Sequence, residues 1–183
     1  MKYLYSMLLL TLAGLGPISL QAEEGLADIE PLTTRAVMEL YVEIAPPVEV
    51  GPSDLGIRQF VPITGGRFTG INDLRGKVLP YGADWQLIRS DGVMQIEAHY
   101  AVQTDDGAVI EIRNQGIIAI PGGAEAREQA KREKAPDNIY FRTAPQLHAP
   151  VGKYGWLNER LYTGTVEPVA DGSAVVVRFF AIE

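Results

Sequence analysis

Apolar and polar residues alternate with a period of two over most of the chain. In RAVMELYVEI (35–44), every second residue from Met38 to Ile44 is apolar, which is the pattern of a half-buried strand. Similar runs occur in DWQLIR, VMQIEAHYAVQT and AVIEIRNQGIIAI. The linkers SDG and DDG between these runs predict three-residue hairpin turns, each with its glycine in the left-handed conformation.

The rest of the chain adds short strands and few other elements. IRQFVPITGGRFTG (57–70) and LRGKVLP (74–80) are predicted as strands broken by glycines, and NIYFRTA, KYGWLNERLYTGTVEPV and SAVVVRFFAIE as further strands. APPVEVGPSDLG (45–56) is predicted as a loop, and AEAREQAKREKA (124–135) as an exposed, highly charged loop helix. Eight or more short strands with tight turns favour an all-β fold, a single antiparallel β-barrel or a sandwich. We predict the barrel.

The two hairpin turns also predict which side chains face inward. They pair Arg89 with Val93 and Thr104 with Ala108, which sets the register of the three strands around them. One face then carries Ile88, Met94, Ile96, Tyr100, Val102, Ile110 and Ile112, and the other carries Arg89, Gln95, Glu97, His99, Glu111 and Arg113. The first face is predicted to be buried, because a slip of one residue would bury the charges instead.

This register places polar side chains on the predicted inner face. Asp84, Ala98 and Asn114 form one row across three strands, and Gln86 lies on the same face. The strand spacing puts Asp84 and Asn114 roughly 10 Å apart over the small Ala98. A carboxylate inside a barrel is costly unless it is paired or used, so the row predicts a pocket floor. The alternative is that the row lies at an open rim, where water solvates it.

Composition and the N-terminus narrow the function classes. The net charge of −7 and the low pI of about 4.9 argue against nucleic acid or an anionic membrane as partner.

Residues 1–22 read as a secretory signal peptide cleaved after Ala22, which predicts a periplasmic or secreted protein. An uncleaved membrane anchor is the alternative. Residues 23–34 are predicted as a polar linker and 35–183 as the barrel domain. There is no cysteine, so no disulfide or lipoprotein anchor is expected.

Several blocks resemble one family. GGRFTG, LRGKVLPYGADWQLIRSDG, TDDGAVIEIRNQG, YFRTAPQ and YGWLN are similar, in this order, to the signature blocks of the DUF3237 family, also called UPF0311. The resemblance implies a calycin-like or lipocalin-like β-barrel and assigns no biochemical function. The family blocks contain Gly65, Gly66, Asp84, Trp85, Asn114, Gly116, Arg142, Trp156 and Asn158. The chain departs from the family in a charged insert near 122–137 and in Tyr81, where glycine is more usual.

The candidate chemistry is that of a small-molecule site without a metal or cofactor. With two histidines and no cysteine, no spacing favours a metal, and no nucleophile or phosphate-loop motif is present. We predict Asp84 as a general acid or base, Arg142 as a partner for a carboxylate or enolate, and Tyr100 as a hydrogen-bond donor. The predicted ligand-binding residues are Gln86, Asn114, Tyr154, Trp156 and Asn158.

Two functions fit these residues. The first is a cofactor-free isomerase, lyase or lactone hydrolase that acts on a small organic molecule. The second is a periplasmic carrier or sensor that binds such a molecule unchanged. A raised pKa of Asp84 in a closed cavity would favour the enzyme. A structural ion pair between Asp84 and Arg142 would favour the carrier. A homo-oligomer stays open for either.

Overall fold

The computed structural model describes residues 29–130, 132, 133, 136 and 138–183. The chain divides into two units, Met1–Leu32 and Thr33–Glu183, and the second contains all the strands discussed below. The predicted signal peptide and the first half of the predicted linker, residues 23–28, lie outside the described residues. Within the described ranges, no helix has the length and hydropathy needed to span a membrane.

The described residues of the second unit form ten strands and two short helices. The strands are β1 (Thr34–Ile44), β2 (Val48–Ser53), β3 (Gly56–Gly70), β4 (Arg75–Val78), β5 (Gly82–Ile88), β6 (Met94–Thr104), β7 (Val109–Ala119), β8 (Tyr140–His148), β9 (Tyr162–Pro168) and β10 (Ala174–Ile182). The α-helix α1 (Gly123–Ala130) lies between β7 and β8, and a 3₁₀-helix (Gly155–Glu159) lies between β8 and β9.

The strands form a closed antiparallel barrel. The hydrogen-bonded order is β1, β10, β9, β8, β7, β6, then β4 and β5 end to end in one position, then β3, which pairs back to β1. This gives eight strand positions around the barrel, with β2 attached outside them to the first half of β3. The predicted all-β fold, a single antiparallel barrel with one short charged helix, is confirmed.

The predicted hairpin registers are also confirmed. Asp84 pairs with Ala98, and Ala98 pairs with Asn114, so the three residues form one row across β5, β6 and β7. Both turn glycines have positive φ, 85° at Gly92 and 90° at Gly107. Only glycine adopts this conformation readily, so these turns fix the register of three adjacent strands.

The predicted inner face is the buried one. Val102, Ile110 and Ile112 are fully buried, whereas Glu97 and His99 on the intervening positions are exposed. His99 and Glu111 are joined by a hydrogen bond on the outer surface, with 2.8 Å between Nε2 and Oε1. The alternation therefore separates the interior from solvent along the whole of β6 and β7.

Three predictions about individual segments are wrong. Residues 45–56 are not only a loop, because Val48–Ser53 forms β2 against β3. The predicted break within 57–70 is absent, and β3 is one strand of 15 residues. Its glycines Gly65 and Gly66 instead lie where the partners of β3 change, from β5 to β4 on one edge and from β2 to β1 on the other. The first part of the predicted strand KYGWLNERLYTGTVEPV is a 3₁₀-helix, and β9 begins at Tyr162.

The two ends of the barrel are filled differently. One end, called the packed end here, holds most of the fully buried side chains and is covered by the 3₁₀-helix through Leu157. These residues include Val37, Leu40, Phe68, Leu74, Val102, Ile110, Ile112, Leu157 and Phe179. The same strands continue to the other end of the barrel, called the hollow end. Their halves at this end surround an internal cavity. The candidate site lies in this hollow end.

Candidate functional site

The cavity in the hollow end has a volume of about 310 Å³ and mostly apolar walls. Its lining comprises Val42, Ile44, Pro47, Val61, Ile63, Asp84, Gln86, Met94, Ile96, Ala98, Tyr100, Asn114, Ile118, Phe141, Val166, Pro168, Gly172, Ala174, Val175 and Val177. This volume is at the low end of the range for small-molecule pockets, and apolar walls with a few polar groups are typical of such pockets.

Asp84 is the carboxylate in this cavity, and the strand pairing explains its position. The row that contains Ala98 and Asn114 faces inward, so Asp84 on β5 must do the same. Its Oδ1 accepts a hydrogen bond from the backbone amide of Glu97 at 3.1 Å. Its Oδ2 accepts one from Nε2 of Gln86 at 2.6 Å. Two neutral donors thus hold the carboxylate, and neither supplies a positive charge.

A second glutamine orients the first. Gln59 on β3 is paired with Gln86 on β5, and its Nε2 donates to Oε1 of Gln86 at 2.6 Å. Because the Oε1 of Gln86 is occupied by this donor, its Nε2 is directed to Asp84. Gln59, Gln86 and Asp84 therefore form a chain of amides ending on the carboxylate.

Burial perturbs the acidity of Asp84. Removal of the carboxylate from water raises the pKa of Asp84 from 3.8 to about 6, against the opposing hydrogen bonds from Gln86 and from the Glu97 amide. A carboxyl group with a pKa near 6 exchanges its proton readily close to neutral pH. This property suits a general acid or base.

Two other polar side chains of the cavity have unused hydrogen-bonding capacity. Tyr100 and Asn114 are buried, with exposed fractions of 5% and 3%. The hydroxyl of Tyr100 and the Oδ1 of Asn114 have no hydrogen-bond partner among the described residues. Burial, and then the nearby charge of Asp84, raise the pKa of Tyr100 well above its usual range, so the phenol keeps its proton. A buried polar atom without a partner is costly, which makes both side chains candidates for ligand contact.

The structure does not bring Arg142 to this site. The register places Arg142 on the outer face of β8, where its side chain is exposed. Its guanidinium donates to the carbonyl of Phe141 at 2.8 Å and lies 5.7 Å from the ring centroid of Tyr140. The prediction that Arg142 acts beside Asp84 is therefore wrong, and so is the alternative of an ion pair between them. The alternation along β8 turns Phe141 and Thr143 inward instead.

Three of the predicted ligand-binding residues lie at the packed end. The hydroxyl of Tyr154 donates to the carboxylate of Asp106 at 3.0 Å. The amide of Asn158 donates to the carbonyl of Ala149 at 2.9 Å and accepts from its backbone amide at 2.8 Å. Trp156 packs against the core there. These residues hold the 3₁₀-helix in place and do not line the cavity, so we no longer assign them to the ligand.

The helix α1 borders the hollow end. Arg127 of α1 donates from Nε to the carbonyl of Gly92 at 2.5 Å, and from a terminal nitrogen to the carbonyl of Ile118 at 3.1 Å. Gly92 lies in the β5–β6 turn, and Ile118 lines the cavity. One arginine therefore ties the charged insert to the rim of the cavity.

A wider depression of about 680 Å³ lies on the outside of the barrel. Trp85, Glu97, Gln115 and Arg142 contribute to it, and the ring of Trp85 packs on Phe60 with 4.9 Å between centroids. It is larger than the inner cavity, but the residues just named are exposed or half-buried. The inner cavity is the better candidate because it contains the carboxylate with the raised pKa.

The described residues contain no group of three histidine, cysteine, aspartate or glutamate side chains arranged to hold a metal ion.

Gln59 is the site residue that sequence reasoning missed. Its parity with Val61 and Ile63 gave a signal, since it shares their inward face. Its contact with Gln86 depends on the pairing of β3 with β5. This pairing could not be predicted from a tight hairpin turn, because β4 lies between the two strands in the sequence.

The fold and site define a small closed β-barrel with one hollow, mostly apolar end. The sequence profile of the family described as "Protein of unknown function (DUF3237)" matches residues 32–182. The UPF0311 protein blr7842 of Bradyrhizobium diazoefficiens is 38% identical over 142 residues, which cover 76% of this chain and 91% of that protein. The chain belongs to the DUF3237 family, also called UPF0311.

Two solved structures have the same fold. A protein of unknown function from Clostridium acetobutylicum matches with a TM-score of 0.75 and 33% identity, covering 85% of this chain and 100% of that one. A structure described as an enzyme from Penicillium herquei matches with a TM-score of 0.63 and 24% identity, covering 85% and 97%. At that identity the second match shows the fold alone.

Proposed function

We propose that the hollow end of the barrel binds a small organic molecule and that Asp84 moves a proton on it without a cofactor. The observation that carries this proposal is a carboxyl group with a pKa near 6 inside an apolar cavity, held by two neutral donors. An ion pair would hold the carboxylate permanently ionised. Gln86 and the Glu97 amide allow it to gain and lose a proton near neutral pH.

The proposed chemistry is proton transfer next to a carbonyl group. The ionised Asp84 removes a proton from the carbon beside the carbonyl. The electron pair of that C–H bond forms the C=C bond of an enolate, and the π pair of the C=O bond moves onto the carbonyl oxygen. The hydroxyl of Tyr100, protonated and without a partner among the described residues, supplies a hydrogen bond to the developing oxyanion. Asp84 then returns its proton to the same or another carbon, which gives an isomerisation; loss of a leaving group instead gives a lyase reaction.

The second candidate is a carrier or sensor, favoured by the mostly apolar cavity walls.

The two candidates are distinguished by turnover, because an enzyme changes the bound molecule and a carrier or sensor releases it unchanged. Wild-type protein is incubated in D₂O with a panel of small cyclic ketones and lactones, and deuterium incorporation and ring opening are measured by mass spectrometry. We expect catalysed exchange that falls at least about 100-fold in Asp84→Asn. Compounds that bind the wild-type protein yet remain unchanged would contradict the enzyme and support the carrier.

The location outside the cytoplasm is part of the proposal. It rests on the pattern of residues 1–22 and predicts a mature N-terminus at Glu23. The intact mass of the protein recovered from the periplasm or medium tests it. A membrane-bound form that keeps Met1 would contradict it.

A further inference from the structure

We propose that the cavity selects an uncharged ligand, namely a hydrophobic molecule of one or two rings carrying a carbonyl oxygen, such as a cyclic ketone or lactone. This inference rests on the proposed function, because it names the substrate class of the same cavity. It follows from the charges of the lining, from its unused hydrogen-bonding groups and from its size.

Among the described residues, the lining contains a carboxylate and no cation. Of the 20 described residues that line it, Asp84 alone has a charged side chain, and none is lysine, arginine or histidine. Arg142, the cation predicted to bind a ligand carboxylate, lies on the outer face. A ligand carboxylate or phosphate in this cavity would lose its water, gain no counterion and face the charge of Asp84. The cavity therefore excludes anions.

A cationic ligand would pair with Asp84, but the rest of the cavity does not support it. An ammonium group has three donors, and each oxygen of Asp84 already accepts one hydrogen bond, so Asp84 alone can replace only part of the water that the ammonium group loses. Most of the remaining wall consists of valine, isoleucine, proline and other apolar side chains, which cannot replace its water. A neutral ligand has no such cost.

The unused polar groups fit a carbonyl oxygen. The phenol of Tyr100 keeps its proton and has no acceptor among the described residues. The amide of Asn114 has an unsatisfied oxygen, and rotation of the amide by 180° would present its NH₂ group in the same place. A cavity of about 310 Å³ with these groups fits a ring system with one oxygen function.

The test uses four compounds with one ring skeleton: 2-tetralone, tetralin, 1,2,3,4-tetrahydro-2-naphthoate and 2-aminotetralin. Their affinities for the full chain are measured by calorimetry at pH 7.5. We expect 2-tetralone to bind at least about tenfold more tightly than the carboxylate and the amine, and more tightly than tetralin. A carboxylate or amine that binds as tightly as the ketone would overturn the inference, as would failure of all four to bind.

The pH dependence of the ligand affinity is a second, independent test, because a neutral ligand and a cationic ligand should change it in opposite directions. Asp84 and Tyr100 are the titratable groups of the lining, and only Asp84 titrates near neutrality. A neutral ligand removes water from Asp84 and favours its protonated form, so the affinity for 2-tetralone should rise as the pH falls through about 6. A cationic ligand would favour the ionised form and show the opposite trend.

Variants locate the binding and reverse its selectivity. Ala98→Leu fills the inner row and should abolish binding of 2-tetralone, whereas Ala101→Leu, on the outer face of the same strand, should leave it unchanged. Met94→Lys supplies the missing cation from a half-buried position in the lining and should improve binding of the carboxylate at least about tenfold. Binding of 2-tetralone that survives Ala98→Leu would place it outside the cavity and overturn the inference.

These binding measurements are separate from the turnover assay. A ketone that binds in the cavity without deuterium exchange would leave the ligand class standing and reject the enzyme. Deuterium exchange that depends on Asp84, together with preferred binding of the carboxylate, would do the reverse.

Discussion

The packed end and the hollow end of the barrel are built from the two halves of the same strands, yet the first has a filled interior and the second contains a cavity. At the packed end, Val102, Ile110 and Ile112 fill the interior, and Leu157 closes it from the 3₁₀-helix. At the hollow end, Ala98 is small, and the described part of the chain places no cation beside the partly buried carboxylate of Asp84. The comparison shows that one half of these strands is closely packed, whereas the other half leaves the space to which we assign the proposed ligand.

The largest expected effect lies at the packed end. Ile110→Ala removes a fully buried side chain from a closely packed region, so the free energy of unfolding should fall by about 2–5 kcal/mol. Ile118→Ala, on the same strand but beside the cavity, should cost about 1 kcal/mol, because the side chain is only half-buried. Urea denaturation of both variants measures the difference. Equal losses would show that the two ends do not differ in packing.

The second effect lies at the hollow end and has the opposite sign. The folded pKa of Asp84, about 6, exceeds its ordinary value of 3.8, so the folded state binds the proton more tightly than the unfolded state. Ionised Asp84 therefore destabilises the fold increasingly from about pH 4 to pH 6, and fully above that range. Asp84→Asn should raise the free energy of unfolding by about 1–3 kcal/mol at pH 8. It should add little at pH 4.

The measurement is urea denaturation at both pH values, with the wild-type protein beside the variant. A loss of stability at pH 8 would mean that the hydrogen bonds of the ionised Asp84 outweigh the cost of its burial and that Asp84 is a structural residue. The fold of Asp84→Asn is expected to be retained, because the asparagine has the same shape and can accept the hydrogen bond from the Glu97 amide.

The third effect is a change in the pKa of Asp84 when the chain of hydrogen bonds from Gln59 through Gln86 is broken. Gln59→Leu removes the donor that directs Gln86 to Asp84, so the ionised carboxylate loses part of its support. The pKa of Asp84 should rise by roughly one, as expected for a weakened hydrogen bond to a charged group. Carboxyl ¹³C chemical shifts followed through a pH titration measure it. Gln95→Leu, on the exposed face of β6, is the matched control and should leave the titration unchanged.

The smallest effect returns to the packed end. Tyr154→Phe removes the hydrogen bond to Asp106 and should lower the free energy of unfolding by about 0.5–1.5 kcal/mol. It should change neither the titration of Asp84 nor the affinity for 2-tetralone, because Tyr154 does not line the cavity. A change in either quantity would show that the two ends are coupled.

The sequence predicted those parts of the fold that local signals determine. The glycines of SDG and DDG set the register, and the register placed Asp84, Ala98 and Asn114 in one row. Arg142 was misplaced because its strand does not follow from a tight hairpin, so its inward or outward direction could not be counted from a turn. Its position became clear only from the pairing of β7 with β8.

Tyr154, Trp156 and Asn158 were misplaced for a different reason. The resemblance places them in the family block YGWLN, but it does not say whether they serve binding or packing. The 3₁₀-helix that contains them depends on contacts with β8 and the core, which are distant in sequence. Gln59 was missed for the same kind of reason, since its role appears only when β3 and β5 are brought together.

The closure of the barrel by β1 and β10 has a consequence for how the chain folds. Thr34 pairs with Ile182, and Glu43 pairs with Ala174, so the first strand completes its hydrogen bonds with the last. Pairings of this sequence separation form slowly, because a long loop must close before they contribute. During synthesis, the barrel can close only after the C-terminal strand has left the ribosome, and until then β1 presents an unpaired edge.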